Sequence, residues 1–416
     1  MRKIFSSIDI GSDSIKIVVL ELLKGKLNVL ASNIYPSKGI KCGIIVDEEE
    51  ARKTLIEAFK QINSSLGVTV DKAITSVPMF DAKYTLVEGY TSITSNDKIV
   101  SSEDILNTLQ ASIYNKISGK EELVTVMPVK YIIDDKNDVI NPKGIRADKL
   151  GVLAMMVTAP KTNLYKVLSV ISKAKIEVVD LLFNSIGDYN AFKNSNLDKD
   201  TVGVINIGYQ KTELSIFNRG IITNSSIINV GSYDIDEDLS YAYNINIDKA
   251  RNIKEMFALS NSDYASKSEV YEIKDKTGIK VKINQFEASE IVMNSLKEIL
   301  KKSKSELNDL TKKEIRYIIV TGGISNIPGF DTICDNILKE KAFLSKINTV
   351  GIRDNRYSSS YGMIKYFINK LSIRGRKYTM FNGEKEIELI EKVRKNTEDT
   401  TVFSKLFGKL FDNKED

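Results

Sequence analysis

The chain has 416 residues, of which 42% are hydrophobic, and its 60 basic and 55 acidic residues leave a net charge of +5. This length is enough for two to four domains, and the small charge excess does not indicate a nucleic-acid-binding protein. There is no histidine, which excludes histidine-based triads, metal sites and general bases. Cys42 and Cys334 lie far apart and suit a reducing compartment. No apolar run is long enough to predict a membrane span.

The first 159 residues contain two segments that differ in their pattern of predicted strands and helices. Residues 4–30 read as three strands, followed by a helix from Asp47 to Asn63 and a strand at 73–78. From residue 84 to 159 the pattern of predicted strands and helices changes, and we interpret this segment as an inserted α+β subdomain. Its predicted strands are 84–93, 123–133 and 150–158, and its helix covers 101–113, after a Ser-Ser-Glu-Asp cap.

The remainder of the chain alternates between predicted helices and strands. Helices are predicted at 162–174, 185–192, 235–244, 247–256, 286–302 and 357–371. Strands are predicted at 177–182, 220–230 and 317–321, and a hairpin is predicted at 202–217. This alternation indicates an α/β protein.

Two segments about 200 residues apart repeat one pattern: an apolar run, a turn with a glycine, and a second apolar run. The first extends from Ser7 to Val19 and the second from Val204 to Phe217. Each predicts a hairpin whose tip directs backbone N–H groups at one point, because glycine lets an anion approach the backbone. Two such tips facing each other are expected to hold the phosphates of a nucleotide, as in an actin-like fold.

Charged residues and a second glycine turn extend this predicted site. Asp9 precedes the first tip, where a carboxylate can hold waters around Mg²⁺. Lys16 lies across the same hairpin, within reach of a phosphate. The strand at 317–321 ends in Gly322 and Gly323, which let the backbone approach a ring or a ribose. Taken singly, these features also fit a solvated strand face and an ordinary tight turn.

The fourth feature is a charged turn of a predicted helix. Arg251, Lys254 and Glu255 lie within one turn and share a face. A solvated helix surface explains this segment equally well when it is considered alone. The order and spacing of all four features are more specific than any one of them.

Together these motifs resemble the actin, Hsp70 and sugar-kinase superfamily, and within it the bacterial cell-division family FtsA. The resemblance extends from residue 4 to about 370 and includes the insert, with its Asn141-Pro-Lys-Gly-Ile145 loop. It implies a first phosphate loop, a second phosphate loop, an adenine side and an adenosine loop. The implied first phosphate loop comprises Asp9, Gly11, Ser12 and Lys16, and the implied second loop comprises Asn206 and Gly208. The implied adenine side comprises Arg251, Lys254 and Glu255, and the implied adenosine loop comprises Gly322 and Gly323.

The chain departs from the superfamily pattern at positions that matter for catalysis. The second loop has Asn206 where the superfamily has an aspartate, and Ile324 replaces the third glycine of the adenosine loop. Phe183 or Asn184 stands where a residue that orients the attacking water is common, and Asp188 follows one helical turn later. Neither of the first two is a credible base. We therefore expect ATP binding with at most weak ATPase activity and assign no catalytic residue.

The resemblance implies an α/β, actin-like, two-lobed fold with duplicated ribonuclease-H-like domains, an inserted α+β subdomain, and a C-terminal amphipathic helix after a linker. The first lobe is expected to comprise 1–83, 160–197 and 350–371, and the second-lobe core 198–235 and 312–349. The insert is 84–159, the second-lobe subdomain 236–311, the linker 372–400 and the amphipathic helix 401–413.

The amphipathic helix is predicted from an apolar stripe with lysines beside it, at the end of a polar segment. Such a helix fits the headgroup plane of an anionic membrane, whereas packing on the body or on a partner is the alternative. The stripe comprises Phe403, Leu406, Phe407, Leu410 and Phe411, and the lysines are Lys405 and Lys409.

The resemblance implies a protein that binds ATP and Mg²⁺, polymerises, and tethers the FtsZ division ring to the cytoplasmic face of the membrane. The implied partners are the C-terminal peptide of FtsZ on 236–311, other division proteins at 84–159, and no nucleic acid. Lys297, Lys301 and Lys302 are expected to meet acidic residues of the peptide. Two alternatives remain: an actin-like pilus-assembly protein, and a sugar kinase or Hsp70-like ATPase.

Overall fold

The computed structural model describes residues 2–343, 346–373, 375 and 378–381. The strands are β1 (Lys3–Ile10), β2 (Ser14–Leu23), β3 (Lys26–Pro36), β4 (Ile40–Lys41), β5 (Ile44–Ile45), β6 (Lys72–Ser76), β7 (Lys83–Ser92), β8 (Glu121–Ile133), β9 (Asn137–Val139), β10 (Lys149–Pro160), β11 (Glu177–Leu182), β12 (Thr201–Ile207), β13 (Thr212–Asn218), β14 (Ile221–Ile228), β15 (Val270–Lys274), β16 (Lys280–Asn284), β17 (Tyr317–Thr321) and β18 (Ala342–Phe343). The helices are α1 (Glu48–Leu66), α2 (Ser102–Ile113), α3 (Lys161–Lys173), α4 (Asn184–Phe192), α5 (Ser232–Ala242), α6 (Ile247–Met256), α7 (Gln285–Asp309), α8 (Phe330–Leu338) and α9 (Ser358–Ile373).

Two five-stranded sheets share one topology, and this confirms the predicted duplication. Their strand orders are β11-β6-β1-β2-β3 and β14-β13-β12-β17-β18. In each sheet three consecutive strands pair antiparallel, and the first of them pairs in parallel with a later strand. The two predicted glycine hairpins are the β1–β2 and β12–β13 turns. Equivalent strands therefore carry the two tips in their respective lobes.

Local capping explains where two of the predicted helices begin. The Asp47 carboxylate accepts hydrogen bonds from the backbone N–H groups of Glu49 and Glu50, both at 3.0 Å, at the start of α1. Ser101 and Asp104 form a reciprocal capping box at the start of α2. Both starts agree with the sequence-based expectation.

The predicted insert is an antiparallel sheet with strand order β7-β10-β8-β9. Helix α2 packs against β7 and β10, and a separate apolar core lies between them. The insert touches the second lobe as well as the first: the Tyr84 hydroxyl and the Ser225 Oγ are 2.6 Å apart. The inserted α+β subdomain is thus confirmed.

Helices α4 and α9 cross beneath the space between the lobes. Gly187 and Gly362 are buried at the crossing, so the two backbones approach closely. Immediately beside this crossing, Tyr189 of α4 stacks on Phe217 of β13 with the ring centroids 4.3 Å apart. The crossing therefore connects the first lobe to the second through direct core packing.

Part of the predicted linker packs on the first lobe. Helix α9 ends at Ile373. Beyond it, Met380 and Phe381 are buried against the hydrophobic core of the first lobe. The backbone N–H of Met380 donates to the carbonyl of Ile4 at 2.9 Å. The polar composition of 372–400 concealed these two apolar residues. The predicted amphipathic helix at 401–413 lies outside the described residues.

Several short elements have no counterpart in the predictions, among them helix α8 and the β15–β16 hairpin. Helix α8 follows a Pro-Gly turn, and the β15–β16 hairpin projects from the second-lobe subdomain with mostly exposed residues. Both are too short for a clear periodic signal. Within the part of the chain that the structure describes, no helix has the length and apolarity needed to cross a bilayer.

Candidate functional site

Two adjoining cavities of about 690 and 1040 Å³ lie between the lobes. Each of the eleven residues that the sequence predicts for nucleotide and metal binding lines at least one of them. The residues lining both cavities are Asp9, Asp13, Lys16, Asn206, Gly208 and Tyr209. The predicted partner-binding lysines are elsewhere, on α7. The fold thus brings four distant sequence motifs to one cleft.

The first tip places a carboxylate and an ammonium group side by side. Asp9 and Lys16 are cross-strand neighbours in the β1–β2 register, and their charged atoms are 3.2 Å apart. The Ser76 Oγ donates to the Asp9 carboxylate at 3.3 Å and accepts from the backbone N–H of Ile10 at 2.9 Å. These contacts hold Asp9 at the cleft, where 5% of its surface is exposed.

The second tip is braced by the helix that follows the sheet. The carbonyls of Gly208 and Tyr209 accept hydrogen bonds from the first backbone N–H groups of α5, at 2.9 and 2.8 Å. Across the cleft, the Gln210 side chain accepts from the backbone N–H of Cys42 at 2.8 Å. Tyr209 and Gln210 therefore lie in a fixed turn, because both of its ends are hydrogen-bonded.

Asn206 is part of a buried network at the crossing of α4 and α9. Its amide Nδ2 donates to Asp188 at 2.6 Å, and the hydroxyls of Ser358 and Ser359 donate to the other carboxylate oxygen at 2.6 and 2.8 Å. Burial raises the pKa of Asp188 to about 7, although these hydrogen bonds act to lower it. Asp188 is fully buried and lines neither cavity.

The Gly322-Gly323 turn lies against the base of the second tip. Gly322 has φ +104°, and a Cβ there would lie 2.2 Å from the carbonyl oxygen of Ile207. The turn therefore requires glycine at 322 for the fold itself, whatever it binds. Gly323 has more room, since the nearest atom to an added Cβ is the Cγ of Arg356 at 3.2 Å.

Only part of the charged turn of α6 is solvated, because Glu255 is exposed whereas Lys254 is buried. The Lys254 side chain is 3% exposed and its ammonium lies 2.6 Å from the Asp236 carboxylate. Burial lowers the pKa of Lys254 against the opposing effect of Asp236, and burial raises the pKa of Asp236 to about 6. Arg251 reaches across the cleft to Asp13. The solvated-surface interpretation thus fails for Lys254, and the adenine-side role of this turn stays a prediction.

Each of the five basic side chains that line the cavities within the described residues is paired with a carboxylate. The pairs are Lys16–Asp9, Lys211–Glu213, Arg251–Asp13, Lys254–Asp236 and Arg356–Asp354. The cleft is therefore close to electrically balanced.

The sequence analysis did not select Asp13, Glu213 or Arg356 as cleft residues. A usable signal existed for two of them, because Asp13 is in the first tip and Glu213 interrupts the apolar strand after the second tip. Arg356 had no such signal. No group of three or more candidate metal ligands occurs among the residues that the structure describes.

Duplicated sheets with paired hairpin tips facing a cleft define the class of actin-like proteins. Solved structures of this fold are similar over most of the chain. A PilM–PilN type IV pilus biogenesis complex has a TM-score of 0.56 at 12% identity, covering 86% of this chain and 97% of that one. MreB5 of Spiroplasma citri bound to ADP has a TM-score of 0.54 at 15% identity, covering 90% and 99%.

Sequence comparison identifies the family. A family model described as cell division protein FtsA matches residues 203–362, and one described as an SHS2 domain inserted in FtsA matches 82–158. Cell division protein FtsA of Bacillus subtilis (strain 168) is 26% identical over 391 residues, covering 94% of this chain and 89% of that protein. The Enterococcus faecalis FtsA is 22% identical over 366 residues, covering 87% and 83%. The chain belongs to the FtsA family.

Proposed function

We propose that the chain binds ATP between its lobes and acts as an actin-like polymer that tethers the FtsZ division ring to the membrane. The observation that carries ATP binding is the convergence of Gly11, Gly208 and the Gly322-Gly323 turn on one cleft. Glycine tips present backbone N–H groups to phosphates, and the glycine turn offers a flat surface to adenosine. Family membership favours this function over the pilus-assembly and sugar-kinase alternatives.

Asp9 fits the role of holding the waters around Mg²⁺. Its carboxylate lines both cavities and lies beside Lys16, so a metal-bound phosphate and the ammonium group can share this end of the cleft. When bound, Mg²⁺ neutralises phosphate charge. An electrically balanced cleft makes that neutralisation important for a polyanionic ligand. The residues present therefore fit a magnesium nucleotide.

Replacing Lys16 with glutamine is expected to weaken ATP binding by about tenfold to a hundredfold, the range for losing one charge-assisted phosphate contact. Isothermal titration calorimetry with ATP and Mg²⁺ measures this change. Lys53→Gln, on the exposed face of α1, is the matched control. Gly323→Val tests the adenosine end, where Gly322→Val would instead collide with Ile207. Unchanged affinity in both cleft variants would contradict the proposal.

ATP hydrolysis is expected to be slower than about 1 s⁻¹, below the ordinary range of enzymes. Asn184 lines the smaller cavity but cannot act as a base, and Asp188 is shut off from both cavities. The Glu213 carboxylate lines the smaller cavity, yet it is paired with the Lys211 ammonium at 2.6 Å. A phosphate-release assay at saturating ATP checks this, and turnover faster than about 1 s⁻¹ would contradict the prediction.

Membrane tethering is supported by the apolar stripe and lysines of the sequence at 401–413. Binding of the acidic FtsZ peptide is supported by α7, on which Lys301 and Lys302 are exposed and Lys297 is half-buried. We propose that both contacts operate at the cytoplasmic face of the membrane at the division site, and that the insert binds other division proteins.

Substituting Phe403, Phe407 and Phe411 with glutamate is expected to abolish binding to anionic vesicles, because charge replaces the apolar stripe and repels the headgroups. Co-sedimentation with and without ATP measures the loss. Glutamate at Asn396, Thr397 and Thr400 adds charge without altering the stripe and serves as the control. A large fall in melting temperature of the phenylalanine variant would instead indicate that the tail packs on the body.

A further inference from the structure

Asp13 and Arg251 form an ion pair that joins the two lobes directly. Asp13 belongs to the first tip, and Arg251 belongs to α6 in the second lobe. The Nη1 and Nη2 atoms of Arg251 donate to the two carboxylate oxygens at 2.5 and 2.9 Å, the fork geometry of a strong pair. The remaining edge of the guanidinium is also in use, since Nε donates to Glu255 at 3.0 Å. We call the Asp13–Arg251 pair the cleft latch.

Both ends of the cleft latch are fixed to their lobes. On the first lobe, the carbonyl of Asp13 accepts from the backbone N–H of Ser37 at 2.8 Å, which ties the tip to the end of β3. On the second lobe, Lys254 anchors α6 through Asp236 and through the carbonyl of Ser232 at 2.8 Å. The Tyr209 ring lies 5.2 Å from the Arg251 guanidinium carbon. The pair therefore joins two anchored segments, one in each lobe, rather than two mobile side chains.

The pair is charged and partly shielded from solvent. Burial acts to raise the pKa of Asp13, but the hydrogen bonds and charge of Arg251 hold it below its ordinary value. The two side chains are 21% and 31% exposed. A bidentate pair in such surroundings is more stable than an exposed surface pair, since solvent screens it less.

We propose that the cleft latch holds the lobes together in the absence of nucleotide, and that Asp13 competes with nucleotide for Arg251. The second half of this proposal rests on the proposed ATP binding. Asp13 lines both cavities at the tip where phosphate is expected, so its carboxylate repels a phosphate while it occupies a cation of the implied adenine side. Nucleotide entry then breaks the pair, and this links ligand binding to the angle between the lobes.

The test combines a lobe-distance measurement with a binding measurement on the full chain. Spin labels on Lys60→Cys and Lys301→Cys, at exposed positions of α1 and α7, report the distance between lobes once Cys42 is replaced by serine. Without nucleotide, Asp13→Ala is expected to lengthen or broaden this distance. The same substitution in the unlabelled chain is expected to tighten ATP–Mg²⁺ binding by about tenfold, the scale of one close charge contact.

Glu49→Ala is the matched control, because it removes another bidentate arginine–carboxylate pair on the exposed surface of α1. It is expected to change neither measurement. Arg251→Gln is expected to open the lobes like Asp13→Ala but not to tighten ATP binding. An unchanged lobe distance in Asp13→Ala overturns the latch, and weaker ATP binding overturns the competition. Opening by Asp13→Ala in a chain that binds no ATP supports the latch and refutes the proposed function.

Discussion

Replacing Gly362 with alanine is expected to lower the free energy of unfolding by about 3 kcal/mol or more, an overpacking cost at the upper end of its usual range. An added Cβ would lie 1.7 Å from the carbonyl oxygen of Gly187, and the neighbouring backbone of α4 leaves it no space. In an isolated helix the same change would be favourable by about 1 kcal/mol, because alanine has the higher helix propensity. The direction of the effect therefore separates tertiary packing from local propensity.

Thermal and urea denaturation of the purified protein measure this effect. Gly119→Ala is the control, since no atom lies within 4 Å of an added Cβ at that position. Gly187→Ala tests the crossing from the other helix, where the added Cβ would lie 2.4 Å from the carbonyl oxygen of Ser359. A Gly362→Ala protein as stable as the control would show that α4 and α9 can separate at little cost.

Replacing Asn206 with aspartate is expected to destabilise the fold by about 2 kcal/mol at pH 8, as a second carboxylate replaces a hydrogen-bond donor to the buried Asp188. Asn206 now donates to Asp188 at 2.6 Å, so the variant would place a carboxylate at the edge of the cleft against one that is fully buried. An aspartate at 206 would therefore lie unfavourably close to an ionised Asp188. The amide of Asn206 suits the buried Asp188, to which it donates a hydrogen bond.

The pKa of Asp188 determines how the folding stability changes with pH. The pKa of Asp188 is raised from 3.8 to about 7 by burial, so the folded state holds this proton more tightly than the unfolded chain. Stability arising from this group therefore falls as the pH rises from about 4 to about 7 and then levels off. In Asn206→Asp the pair shares a proton and its upper pKa rises further, so the loss continues above pH 7.

Urea denaturation at pH 6 and pH 8 is the appropriate measurement, and the deficit of Asn206→Asp should be larger at pH 8. Adding Asp188→Asn should restore most of the stability, since the amide and the carboxylate then exchange places. The hydroxyls of Ser358 and Ser359 can still donate to the remaining oxygen of residue 188. Equal stability of the single variant and the wild type at both pH values would contradict this account of the network.

The sequence by itself determined the elements whose signal is local. The two glycine hairpins, the capped helices α1 and α2 and the inserted subdomain follow from strand alternation, turn residues and capping residues that are close together in the chain. The duplication was visible because each hairpin repeats the same short pattern. Their order then indicated the actin-like fold, and the fold brings the predicted cleft residues together.

Only the tertiary structure decided which side chains are neighbours across the cleft. Asp13 and Arg251 are 238 residues apart, and Met380 packs on a strand that begins 377 residues earlier. No periodicity encodes such contacts, because they arise when separately formed elements pack. Likewise, the uncharged amide of Asn206 can be explained only when Asp188 is known to be buried beside it. Local patterns specify strands, turns and caps, whereas burial and long-range pairing set the charge balance of the cleft.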